Sequence, residues 1–135
     1  MVNSYVDPSE LPIEILDNLY SGENVLSCIK KQVPVELKPK YLVITDHRVL
    51  FLDQKILGRY DLSDIPYSKL ERVFFQEAIL ASEFKLKDED NHIISINWLQ
   101  KSECRDAIIT IRDAINAIAI EPVSIKRKKN LMNER

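Results

Sequence analysis

The sequence predicts a mainly β domain of the α+β class: seven short antiparallel strands in a partly open barrel, capped by a C-terminal amphipathic helix and preceded by a short N-terminal helix. Three observations predict this architecture. Short apolar or alternating runs, separated by polar residues, Pro or Gly, extend from Asn24 to Asn97. An isoleucine-rich stripe with helical spacing follows them. Proline and acidic residues open the segment before Gly22 in the manner of a helix start.

The N-terminal segment predicts a helix over about residues 9–21. Pro8 lies in its opening turn, where a missing amide hydrogen costs nothing. Ile15 and Leu19 recur at helical spacing, so one side should pack on a larger body. Gly22 stands where a left-handed residue would end the helix.

The strand region, residues 24–97, is expected to form one barrel-like sheet. Its connections are too short for crossover helices, so neighbouring strands should run antiparallel. In the sixth strand Phe84 and Leu86 alternate with charged residues, which predicts one buried and one solvated face. The predicted strands span about residues 24–33, 39–45, 48–53, 58–64, 69–77, 80–87 and 92–97.

The C-terminal helix is predicted over residues 101–120, because apolar residues from Cys104 to Ile118 follow one another at spacings of three and four. We expect it to close one end of the barrel. Pro122 should stop it. The predicted domain therefore spans residues 1–121, and residues 122–135 form a basic flexible tail with little apolar content.

Charge restricts the partners. The chain has 19 basic and 21 acidic residues, a net charge of −2, which is too balanced for a protein that coats nucleic acid. Residues 1–120 contain 14 basic and 19 acidic residues, a net charge of −5. Residues 121–135 contain five basic and two acidic residues, a net charge of +3. The tail is thus electrostatically distinct from the rest.

Cysteine usage and apolar run lengths indicate a cytoplasmic protein. Cys28 and Cys104 are isolated and lack the CxxC spacing of metal or redox sites. The N-terminus has no basic and apolar regions of a signal peptide. The longest apolar runs fall far short of the roughly 20 residues that cross a bilayer, so no membrane-spanning segment is expected.

Three motifs resemble those of prokaryotic pleckstrin-homology-like (PH-like) domains. LYSGENVL, residues 19–26, resembles the L-x-x-G-E-x-V-L pattern of the YokE-like group. LVITDHRVLFL, residues 42–52, is similar to the T-D-x-R hairpin that this group shares with GRAM domains. DIPYSKLERV, residues 64–73, is similar to the I-P-Y stretch that follows. The resemblance covers residues 19–120 and implies a PH-like fold and a binding or assembly module.

The hairpin motif is expected to have a structural role. Asp46 can accept backbone amides across a tight turn that Thr45 opens, and Arg48 can pair with Asp46 or with another carboxylate.

Two basic groups are candidate sites for anionic ligands. Lys30, Lys31, Lys38 and Lys40 fall near the place where eukaryotic phosphoinositide-binding PH domains carry a basic pattern, and could form a patch on the first hairpin. Solvated edge lysines that oppose aggregation explain the same residues and are the preferred interpretation. The tail residues Lys126, Arg127, Lys128 and Lys129 have the same two interpretations, a lipid contact or a solubilising segment.

The predicted function is non-catalytic. The sequence contains no GxSxG, P-loop, HExxH or GxGxxG motif, and no local pair of metal ligands unites its two histidines with its two cysteines. We therefore expect no catalytic residues, no cofactor, no metal, no nucleic acid and no small-molecule substrate. The expected partner is another protein or a second copy of the chain. The alternative is weak peripheral binding to anionic phospholipid through the first hairpin and the tail.

Overall fold

The computed structural model describes residues 4–33, 36–77 and 82–120. The basic tail, with the predictions made for it, lies outside these residues.

The order of elements follows the predicted order. The seven strands begin and end within a few residues of the predicted bounds, and the C-terminal helix has the predicted bounds. The elements are a 3-10 turn at Pro8–Glu10, α1 (Ile13–Leu16), β1 (Val25–Lys31), β2 (Lys40–Thr45), β3 (Arg48–Gln54), a 3-10 turn at Ile56–Gly58, β4 (Tyr60–Pro66), β5 (Leu70–Glu77), β6 (Ser82–Asp88), β7 (Ile93–Ile96) and α2 (Lys101–Ile120).

The N-terminal helix is much shorter than predicted: α1 has four residues, and the prediction of a helix over 9–21 was wrong. Leu11 and Pro12 are both extended, with ψ of 142° and 146°. A residue before proline avoids the helical region, so the first turn cannot continue into α1. Gly22 is left-handed as expected, with φ of +79°. It lies in a separate turn, however, six residues beyond the end of α1.

The strands form two antiparallel sheets, which corrects the expectation of one seven-stranded sheet. The first has the order β1-β2-β3-β4 and the second β5-β6-β7. The break falls after Pro66, which has no amide hydrogen to donate. A turn closes there, with the amide of Lys69 donating to the carbonyl of Pro66 at 2.9 Å. The chain is thereby redirected into the second sheet.

The first sheet is covered on both faces. Leu42 and Ile44 of β2 belong to the interior cluster, which also contains Phe84 and Leu86 of the second sheet. Tyr41 and Val43 point the other way, into an outer cluster that Ile15 of α1 completes. Strand β2 is therefore apolar without alternation, because each of its faces meets its own hydrophobic cluster.

The N-terminal residues also cover the outer edge of β1. Tyr5 forms an antiparallel bridge with Ile29, and the amide of Val6 donates to the carbonyl of Cys28 at 2.8 Å. This pairing satisfies backbone groups that an edge strand would otherwise expose.

Helix α2 packs on the interior cluster through the predicted stripe. Cys104, Ala107, Ile111 and Ala114 are buried in that cluster, and the helix contacts β1, β2 and β5. Its start is capped by Glu103, whose carboxylate accepts the amide of Gln100 at 2.9 Å. Neither α1 nor α2, the α-helices of the described part of the chain, is long and apolar enough to span a membrane.

Candidate functional site

A buried polar network lies at the turn that joins β2 to β3. The guanidinium of Arg48 makes a two-pronged ion pair with Glu23, donating from Nε to Oε2 at 3.0 Å and from Nη2 to Oε1 at 3.0 Å. Nη1 donates to Oδ2 of Asp64 at 3.1 Å, and Nη2 also donates to the carbonyl of Asn18 at 2.6 Å. The guanidinium carbon lies 3.9 Å from the ring centroid of Tyr20. Arg48 thus joins β3 to two other segments, the α1–β1 connection and β4.

Thr45 organises the turn itself. Its Oγ1 donates to Oε2 of Glu23 at 2.6 Å. The same oxygen accepts the amides of His47 and Arg48, both at 3.0 Å. Thr45 therefore fulfils the role that was expected of Asp46, because its short side chain reaches forward over the turn to the amides that follow it.

Asp46 instead fastens the turn to the segment before β1. Its Oδ1 accepts the backbone amide of Asn24 at 3.0 Å, and its Oδ2 accepts the side-chain amide of Asn24 at 3.1 Å. Nδ1 of His47 lies 2.7 Å from Oδ1 of Asp46. On the other side of the turn, the hydroxyl of Tyr67 donates to the carbonyl of Thr45 at 2.6 Å.

The electrostatics of the network favour a charged pair. Burial alone would raise the pKa of Glu23, but hydrogen bonds from Arg48, Thr45 and the amide of Tyr20 outweigh it and hold the pKa below its usual range. Burial alone would lower the pKa of Arg48, but its bonds to Glu23 and Asp64 raise it. The pKa of Tyr67 is raised, chiefly by burial and further by the charges of Asp46 and Glu23. Glu23 and Arg48 are thus held as a charged pair at neutral pH.

A groove of about 770 Å³ lies beside the network. One wall is the second half of α2, and the other is formed by the β2–β3 and β4–β5 turns. Apolar parts of its lining come from Leu26, Pro66, Tyr67, Ala114, Ala117 and Ile118. Asp46, His47, Thr110 and Asp113 supply most of the polar groups. Tyr20, which also lines it, and Leu26 keep 52% and 48% of their surface exposed, so the groove presents apolar area to solvent.

The four lysines of the first hairpin are not equivalent. Lys31 pairs with Glu103 of α2 at 2.8 Å, and Lys40 pairs with Asp53 at 3.1 Å. Lys30 and Lys38 are exposed. The pairing of β1 with β2 sets Lys31 opposite Lys40, but each of these charges faces a carboxylate. Half of the expected anion-binding patch is therefore neutralised locally.

The loops at the end of the first sheet opposite the network carry exposed leucines that sequence reasoning missed. Leu37, in the β1–β2 loop, is 78% exposed, and Leu57, in the β3–β4 loop, is 89% exposed. Leu57 has a φ of +60°, a conformation that non-glycine residues seldom adopt. No periodic pattern marks such residues, because both lie in loops.

The histidines and cysteines lie apart. Cys28 belongs to the outer cluster and Cys104 to the interior one, and both are free thiols. Burial raises the pKa of Cys28 to about 12; burial and then the charge of Glu103 raise that of Cys104 to about 11. His47 is in the β2–β3 turn and His92 follows the β6–β7 turn. Within the described ranges, only one group of three potential metal ligands lies close together.

That group is Asp88, Asp90 and His92, and its geometry is that of a turn. Oδ1 of Asp88 accepts the amides of Asp90 and His92, each at 2.9 Å. Asp88 thus serves as the hydrogen-bond acceptor that closes the β6–β7 turn.

The functional residues that the sequence left unassigned come from the quoted motifs and from α2. Glu23 lies in the first motif, and Asp64 and Tyr67 lie in the third. These three residues contact Thr45 or Arg48 of the second motif. A buried arginine needs a carboxylate partner, and this requirement could have predicted that Glu23 or Asp64 pairs with Arg48. Nothing in the sequence of α2 predicts the wall of the groove, since alanine at position 117 is typical of any helix.

Comparison with known proteins identifies the family of the chain. Residues 19–113 match the family model described as Bacterial PH domain. An uncharacterized protein of Archaeoglobus fulgidus is 55% identical over 124 residues, which are 92% of this chain. The chain spans 65% of that curated relative's length.

Two solved structures share the fold. A pleckstrin homology domain from Shewanella amazonensis superposes with a TM-score of 0.60 at 21% identity, covering 78% of this chain and 86% of the other. A DUF1696 family protein with a pleckstrin-homology domain, from Shewanella loihica, superposes with a TM-score of 0.62 at 15% identity, covering 80% and 96%. The finer likeness to YokE-like and GRAM-like domains stays a prediction. With a family match over most of its length and the corresponding fold, the chain belongs to the bacterial PH domain family.

Proposed function

We propose that this PH-like domain is a non-catalytic binding module whose ligand is a short polypeptide segment held in the groove between α2 and the two turns. The observation that carries the proposal is the groove itself, which leaves Tyr20 and Leu26 half exposed beside a rigid buried network. Its volume is typical of ligand sites, which measure about 300–1,000 Å³.

The network favours binding because it fixes one wall in advance. Thr45, Arg48 and Glu23 hold the β2–β3 turn through short, charged hydrogen bonds. A wall that is already ordered loses little conformational entropy when a ligand binds. The apolar wall of α2 then supplies contact area, and the carboxylates of Asp46 and Asp113 orient a ligand by charge.

A peptide selection tests the proposal. A displayed library of random peptides is selected on the full chain, and binding of the recovered peptides is measured by fluorescence anisotropy. Ala117→Arg places bulk and a cation in the groove, whereas Asn116→Arg makes the same charge change at an exposed neighbouring position outside the groove lining. We expect Ala117→Arg to abolish binding and Asn116→Arg to retain it. Equal binding by both variants would refute the groove as the site.

Light scattering with the same Ala117→Arg variant tests self-assembly. A second copy of the chain can supply the bound segment, in which case light scattering shows a mass that increases with concentration. Ala117→Arg should then return the protein to a monomer.

Peripheral membrane binding is the second candidate, and the exposed leucines at the opposite end favour it. Leu37 and Leu57 are exposed loop residues, and Lys38 and Arg59 lie close to them in the sequence. Apolar tips beside cations suit an anionic bilayer surface, where each cation contributes about 1 kcal/mol. The net charge of −5 on residues 1–120 opposes a close approach.

Vesicle sedimentation separates the two candidates. The full chain is spun with phosphatidylcholine vesicles with and without phosphatidylserine at physiological salt. Binding that needs phosphatidylserine, is lost in Leu57→Asp and is retained in Ile109→Asp would establish the membrane function. The two variants add the same charge to exposed positions, one at a loop tip and one on α2. The groove proposal predicts that little protein sediments.

A further inference from the structure

The groove combines carboxylates with an apolar wall, and this combination determines which kind of segment can bind in it. Its lining includes the carboxylates of Asp46 and Asp113, and no lysine or arginine lines it among the described residues. Ala114, Ala117 and Ile118 supply an apolar wall along α2. A complementary occupant therefore presents apolar side chains next to cationic ones.

The chain's own C-terminal segment, residues 121–135, has this composition. Val123 and Ile125 directly precede the four consecutive cations Lys126–Lys129. The segment has a net charge of +3, and residues 1–120 have a net charge of −5. Apolar residues adjoining a basic run match an apolar wall adjoining carboxylates.

The segment also begins beside the groove. Ile118 lines the groove two residues before α2 ends, and the segment follows directly. The wall from Thr110 to Ile118 is about 12 Å long at the helical rise. About four extended residues span that length, so fifteen residues suffice to reverse direction and run along it. Covalent attachment gives the segment an effective concentration at its own groove in the range of about 1 mM.

We propose that the C-terminal segment, residues 121–135, occupies the groove of its own chain and must be displaced by an external ligand. This inference rests on the proposed function, because it assigns a built-in competitor to the same site. Docking should weaken as salt rises, since charge attraction between exposed groups is screened over about 8 Å at physiological ionic strength.

A spin label in the segment tests the proposal on the full chain. Asn130→Cys introduces a thiol into the segment, and the native Cys28 and Cys104 are buried and stay unlabelled. A nitroxide at position 130 should cause selective loss of the amide signals of Ser68, Ala114 and Ala117 in NMR spectra. Amides at the opposite end, such as that of Leu57, should be unaffected.

Two variants provide the controls. Replacing Lys126, Arg127, Lys128 and Lys129 by Glu should restore the groove signals, and so should Ala117→Arg, whereas Asn116→Arg should not. Unchanged groove signals in the labelled chain would overturn the proposal. Signal loss that occurs only between differently labelled copies in a mixture would overturn the assignment to the same chain. Neither result affects the peptide selection described above, so the two proposals fail separately.

Discussion

Arg48 is the residue on which two separate segments converge, since Asn18 and Glu23 lie between α1 and β1 and Asp64 lies on β4. Desolvating an arginine and a glutamate costs several kcal/mol per ion, which the two-pronged pair offsets only because further hydrogen bonds satisfy both groups. The pair therefore acts less as a source of net stability than as a means of fixing one arrangement of the turn.

Removing one partner should be much more costly than the net value of the pair. We expect Glu23→Gln to destabilise the protein by about 3–5 kcal/mol, because it leaves the buried guanidinium without its main counter-charge. Asp64 is partly exposed, so Asp64→Asn should cost less than about 1 kcal/mol. Urea unfolding at pH 7 measures both values. Equal losses would contradict the assignment of Glu23 as the principal partner.

Acid should weaken the same network. The pKa of Glu23 is lower in the folded protein than in the unfolded chain, so its stabilisation is present above the unfolded pKa of about 4. It is lost as the pH falls through the folded pKa. The unfolding free energy should therefore decrease from pH 6 to pH 3, and Glu23→Gln should reduce that decrease. A variant with an unaltered pH dependence would show that other carboxylates govern acid unfolding.

At the scale of elements, hydrophobic patterns predicted the strands and α2 well, because β6 and α2 bury one regular face and β2 is a short apolar run buried on both faces. The exposed fraction of β6 alternates as expected, with Phe84 and Leu86 buried. The failure at α1 has a local cause, since Pro12 prevents a continuous helix whatever the spacing of Ile15 and Leu19. Hydrophobic periodicity also could not predict the division into two sheets, because the division depends on how the turn after Pro66 redirects the chain.

The apolar stripe of α2 should contribute unequally around the helix. Ile111 is buried in the interior cluster, so Ile111→Ala should cost about 2–5 kcal/mol. Ile109 is 50% exposed on the same helix, and Ile109→Ala should change stability by no more than about 0.5 kcal/mol. Thermal and urea melts of the two variants give the comparison. Similar melting temperatures would mean that α2 does not seal the interior.

At the scale of the whole molecule, the two ends of the first sheet differ in character. The network and the groove lie at one end, and the exposed leucines with their neighbouring cations lie at the other. Sequence motifs identified the turn at the first end, because Thr45 and Arg48 stand in a recognisable pattern. They could not reveal the groove, which exists only once α2 is packed beside that turn.

The fold should be independent of metals and disulfides. Two hydrophobic clusters account for its core, and the two thiols lie in different clusters. Chelator and reductant added together should leave the circular dichroism spectrum and the melting temperature unchanged. Stoichiometric zinc in the purified protein, or a fall in melting temperature on reduction, would contradict this expectation.

The first residues of the chain cover the outer face of the first sheet, and this determines where a stable fragment can begin. The family match begins at residue 19, yet Ile15 fills the outer cluster and Tyr5 pairs with the edge of β1. A fragment cut at the match would bare Val43 and Leu50 and leave β1 as an open edge, a template for intermolecular strand pairing. The part of this chain that matches the family model and the part that must fold together thus begin at different residues.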